Sequence, residues 1–119
     1  MRHRLVYFEP DPFTGRRYVL GAQVDDGKRV KGLPLPYEVA VFGVPLGVDG
    51  SRAPHVLVSR LLDHLAVIDV PSGVMERPVV FGPLVTLGPV RGIPAGVDDP
   101  HGWVLAMLDL PGVRRGVDA

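Results

Sequence analysis

The chain has 119 residues, enough for one domain with a real core but not for two, and 46% hydrophobic against 22% charged residues is a globular composition. Thirteen basic and thirteen acidic side chains cancel, which removes the strong positive field expected of a free-standing binder of nucleic acid or anionic membranes. No cysteine is present, so disulfides, thiolate catalysis and cysteine-ligated metals are excluded, and the cytoplasm is the simplest compartment.

From His3 to Phe8 the β-forming residues predict a strand, and Glu9 to Gly15 follow as dense turn chemistry. A second strand is expected from Arg16 to Val24, with Tyr18, Leu20, Ala22 and Val24 on one face and Arg17, Val19, Gly21 and Gln23 on the other. Asp25-Asp26-Gly27 then turns the chain into a short basic return strand of the edge type, Lys28 to Lys31. Gly32-Leu-Pro-Leu-Pro reads as a rigid connection, and Tyr37 to Val44, rich in β-branched and aromatic residues, as a largely buried strand.

Ala53 to Asp69 carries the strongest periodic signal. At about 100° per residue, Leu57, Val58, Leu61, Leu62, Leu65 and Ile68 fall within an arc of roughly 140°. His55, Ser59, Arg60, Asp63 and His64 take the opposite half, with Ser51 as the expected N-cap and Pro54 in the first turn. Val70-Pro-Ser-Gly is a turn, Pro78 to Phe81 and Leu84 to Leu87 are short apolar strands, and Asp99-Pro100 opens a last helix ended by Pro111-Gly112. The residues from 113 to 119 form an aperiodic tail beyond a single domain spanning 1–112. The expected fold is therefore a small α+β domain: an antiparallel sheet of about five short strands packed on one amphipathic helix, with a short C-terminal helix.

Two loops echo each other. Gly43-Val-Pro-Leu-Gly-Val-Asp49 and Gly92-Ile-Pro-Ala-Gly-Val-Asp98 share a pattern of glycine, proline and aspartate, and each precedes a proposed helix. They are weighed as one strand-to-helix corner used twice against coincidence in a chain rich in glycine, proline and valine.

Little catalytic chemistry is legible. His55 and His64 lie about 180° apart on the helix, no HExxH or HxH pattern occurs, and His55 and His101 read as neutral surface residues near helix starts. Ser51, Ser59 and Ser72 sit in no nucleophile elbow, and no phosphate-binding glycine loop is present. Asp25-Asp26 and Asp98-Asp99 stand where turn and cap chemistry already explains them. No metal and no cofactor is expected.

Charge distribution is more informative. Residues 1–31 carry seven basic side chains against four acidic, and residues 32–99 four basic against seven acidic. A basic patch of Arg16, Arg17, Lys28, Arg29 and Lys31 is the first candidate interaction site. The apolar turns around Phe13 and around Leu33, Leu35 and Tyr37 are the second, because rigid apolar residues lose little entropy on docking.

Composition and motifs together predict a non-enzymatic protein–protein interaction subunit of a larger assembly, with a second copy or a different subunit as partner and no membrane association. Valine in place of isoleucine, arginine in place of lysine and the absence of asparagine suit a GC-rich source. A bacterial or phage structural component is expected, in the cytoplasm or in a virion. The alternatives are a regulatory binding domain whose basic meander contacts nucleic acid or an acidic partner, and a small hydrolase or transferase.

Overall fold

Arg2–Phe8 forms β1, the strand around which the sheet is built. It pairs antiparallel with β2 (Tyr18–Asp25) on one side and with β5 (Val85–Leu87) and β6 (Arg91–Gly92) on the other. β3 (Arg29–Pro34) extends the sheet from β2, and β4 (Asp69–Pro71) closes that edge, giving the order β4-β3-β2-β1-β5 with β6 beside β1. The connecting helices are a single turn, α1 (Tyr37–Ala40), the long α2 (Ala53–Ala66) and α3 (Pro100–Leu108). This computed structural model describes residues 1–11, 13–72 and 84–110. Pro12, the strand expected at Pro78–Phe81 and the tail from 113 lie outside them.

β2 is buried at every position from Val19 to Asp25 because helices cover both faces of the sheet. On one face Leu65 of α2 lies against Gly21 and Gly32. His3 is paired with Val24 and meets the edge of the Trp103 ring on α3 at 5.5 Å between centroids, so by strand alternation α3 takes the other face. The stripe read from the sequence is the one α2 buries: Val58, Leu61, Leu62 and Leu65 are in the core, with Leu57 and Ile68 packed at its margin. Gly32 permits that contact, since a Cβ there would fall onto the Leu65 carbonyl oxygen, and its own N–H donates to the Ile68 carbonyl at 3.1 Å. Leu65→Ala should cost about 3 kcal/mol by opening a cavity at this junction.

The α+β class, the antiparallel sheet and the short C-terminal helix stand as expected from the sequence, and Asp99 does cap α3, accepting from the Gly102 amide at 3.0 Å. Several details differ. Tyr37 to Val44 is not a strand: the Pro36 carbonyl accepts from Val39 and Ala40, and α1 forms instead. The apolar residues there use a helical spacing, with Ala40 and Val44 buried four residues apart, and Gly43 reverses the chain at φ +85°. β3 is not an edge strand, because the predicted turn at Val70 is β4 and covers it. Arg52 holds the N-cap position of α2, while Ser51 Oγ accepts from the Ala53 amide at 3.2 Å.

The two echoing loops differ in conformation. The first has its positive φ at Gly43 and Asp49, the second at Gly96, so matched residues do not share dihedrals. One ends in a tight turn at Val48–Gly50, and the other begins within β6.

Candidate interaction surface

The antiparallel meander separates two ends of the sheet with opposite chemistry. At one end lie the β1–β2 loop, the end of β3 and the segment from α1 to α2. At the other lie the β2–β3 turn, the start of β1 and β4.

The first end is apolar and exposed. Phe13 is 98% exposed at the tip of the β1–β2 loop, Phe42 87% and Val48 85%, with Leu46 half-exposed between them. Their backbones are nevertheless tied down. Asp11 Oδ1 accepts from the Phe13 amide at 2.9 Å, and Thr14 Oγ1 donates to the Asp11 carbonyl at 3.2 Å. The Gly47 amide donates to the Ser51 carbonyl at 2.8 Å, closing the loop that carries Val48, and Asp49 sits in the left-handed region at φ 59°. Such a conformation costs an aspartate of order 1 kcal/mol and persists where neighbouring structure imposes it. Beside Val48 an open groove of about 390 Å³ runs between Phe8, Pro10, Pro54, Leu57 and Leu84.

The second end is polar and tightly bonded. Asp25, 2% exposed, accepts from Arg2 at 3.0 Å, from the Ser72 hydroxyl at 2.9 Å and from the Gly27 amide at 2.9 Å. Burial works against its charged form, but the Gly27 amide, Arg2 and Ser72 outweigh it and hold the carboxyl below its ordinary range. Asp26 Oδ1 accepts from the Arg29 and Lys28 amides, both at 2.9 Å, which lowers its pKa as well. Next in from Arg2 and Asp25 on the same face, Arg4 Nε donates to Gln23 Oε1 at 2.7 Å, and both residues are buried.

This geometry divides the basic cluster expected from the sequence. Arg16 and Arg17 precede β2 and Lys28, Arg29 and Lys31 follow it, so the two groups stand about 23 Å apart along the strand. They do not form one patch. Arg17 lies 4.3 Å over the Tyr7 ring, and Arg29 is bonded to Asp69 at 2.7 Å, while Arg16, Lys28 and Lys31 remain at the surface. The apolar candidates divide too. Phe13 and Tyr37 are exposed, but Leu33 is partly buried and Leu35 is in the core at 7% exposure, drawn in as its amide continues the sheet to the Leu20 carbonyl at 2.8 Å. Phe42 was hidden in the sequence by the expected strand from Tyr37 to Val44, read as largely buried, while Leu46 and Val48 fell in the loop from Gly43 to Asp49, read there for its glycine, proline and aspartate pattern.

The histidines are dispersed. His55 is half-buried, with Nε2 2.9 Å from the Val44 carbonyl; His64 is exposed, and His101 is partly buried in the first turn of α3. His3 is in the interior at 3% exposure, and burial together with the nearby positive Arg91 pushes its pKa down, against a backbone hydrogen bond at Arg91. Among the described residues no three His, Asp or Glu side chains are grouped to hold a metal ion, and no helix is long and apolar enough to cross a membrane. Compared with protein-family models, with curated proteins and with solved structures, the chain matches none.

Proposed function

We propose that this chain is a non-enzymatic interaction subunit that docks another protein at its apolar end. The observation that carries this reading is the exposure of Phe13, Phe42, Leu46 and Val48 on segments that the sheet topology brings to the same end. Exposed aromatic residues on pre-ordered backbone are what interface anchors require, because burying them gains apolar area with little loop ordering. The adjoining groove supplies a recess for a partner's side chain. Arginine- and valine-biased composition suits a GC-rich bacterial or phage source.

The test is site-directed photo-crosslinking in the cells that encode the chain. A crosslinker at position 42 or 48 is expected to trap one defined protein, and the same group at Ser72, on the polar end, is expected not to. With the crosslinker moved to position 46, loss of the product in the Phe42→Asp, Val48→Asp variant, with the fold intact, supports docking at this end. Equal trapping from both ends, or none from 42 and 48, would overturn it.

A further inference from the structure

The outward stripe of α2 is self-complementary under a two-fold rotation, and we propose that two copies of this chain pair there as antiparallel helices. This surface is separate from the apolar end, and the inference stands independently of what docks at that end.

Val56, Arg60, Asp63 and Val67 recur at spacings of four, three and four residues, within an arc of about 60° that lies about 180° from the buried stripe. Val56 is 51% exposed and Val67 77%, with Arg60 and Asp63 exposed between them. Val67 is the C-cap and still has helical dihedrals, φ −93° and ψ 0°, so the stripe continues through it. Two shallow depressions that share Arg60 line this side of the helix, one reaching Val56 and Tyr37, the other His64 and Val67.

The order of side chains identifies the occupant. Positions 56 and 67, 59 and 64, and 60 and 63 all have the same midpoint, between Leu61 and Leu62. An antiparallel partner rotated about that midpoint brings the partner's Val67 to Val56, the partner's His64 to Ser59 and the partner's Asp63 to Arg60. Each contact then occurs twice, as an isologous interface requires. Neither Arg60 nor Asp63 takes part in an ion pair within the chain among the described residues. A parallel pairing would set Arg60 against Arg60 and Asp63 against Asp63, so charge selects the antiparallel arrangement. The valines supply an apolar contact at each end of a stripe about 16 Å long.

The test is sedimentation equilibrium of the purified full chain up to millimolar concentration, with charge-swap variants at exposed positions that leave the core untouched. The wild type is expected to dimerise, and R60D alone or D63R alone to raise the dissociation constant at least tenfold. R60D/D63R together should restore dimerisation, and an equimolar mixture of the two single variants should form a heterodimer. A wild type that stays monomeric throughout, or a dimer indifferent to R60D and D63R, would overturn the proposal. A dimer abolished by Phe42→Asp, Val48→Asp but not by R60D would also overturn it, assigning self-association to the apolar end. Failure of the crosslinks at 42 and 48 beside a charge-dependent dimer would remove the hetero-partner reading and leave this one intact.

Discussion

The two ends of the sheet solve the problem of ending strands in opposite ways. At the β2–β3 turn, carboxylates take up the backbone amides, and the turn residues from Asp25 to Arg29 carry no apolar side chain. At the end bearing the β1–β2 loop and the α1–α2 segment, backbone amides are bonded to neighbouring loop atoms while Phe13, Phe42 and Val48 are turned to solvent. The first arrangement spends its side chains on stability. The second leaves them for contact, so substitutions at the two ends should separate folding from association.

The largest effect is expected at Asp25. Asp25→Ala leaves the Ser72 hydroxyl and the Gly27 amide without their acceptor and removes the ion pair to Arg2, at a cost of about 3 kcal/mol. Thermal unfolding would show a drop of roughly 10 °C or more for a domain of this size. The folded pKa of Asp25 is depressed, so its contribution is complete above the unfolded value of about 4 and is lost as pH falls below it.

His3 gives the polar end a second pH dependence at higher pH. Its folded pKa is lowered, so folding favours the neutral ring: the contribution is complete above about pH 6.5 and declines as pH falls below that value. His3→Phe keeps a ring against Trp103 and removes the titration. Its melting temperature should be flat from pH 7 to 5, where that of the wild type falls; parallel curves for the two would show that His3 does not carry the dependence. Smaller again is Asp26→Ala, which removes one acceptor from an exposed turn, an expected loss of about 1 kcal/mol in denaturant titration.

What could be read in advance follows the same division. α2 was legible because its period is local and its buried stripe is wide, and β1 and β2 because strand formers alternate between dense turn signals. Interactions that depend on which strand lies beside which were not legible. Arg4 and Gln23 are 19 residues apart and look like surface residues, yet the register of β1 on β2 makes them a buried pair. Strict alternation also fails within β2, where Leu20 is an extra residue opposite the Val6–Tyr7 step. Tyr37 to Val44 misled for another reason: its β-branched residues favour a strand, but pairing of β3 ends at Pro34, and Pro36 and Gly43 bend the chain into a helical turn. The basic cluster was a cluster only in sequence, since a strand as long as β2 separates its halves.

The smallest stability effect, and the sharpest test of the contrast, is expected at the apolar end. Phe13→Ser, Phe42→Ser and Val48→Ser each replace a side chain that is at least 85% exposed, so each should change unfolding free energy by less than about 0.5 kcal/mol. The three together should unfold within experimental error of the wild type and yet lose the partner trapped by a crosslinker at position 46, because the apolar area they remove faces outward. The bonds from the Phe13 amide to Asp11 Oδ1 and from the Gly47 amide to the Ser51 carbonyl do not depend on these side chains, so the loops should keep their shape. If the triple variant instead lost 2 kcal/mol or more, these residues would be packing on one another to hold the loops, and the contrast between a folding end and a contact end would fail.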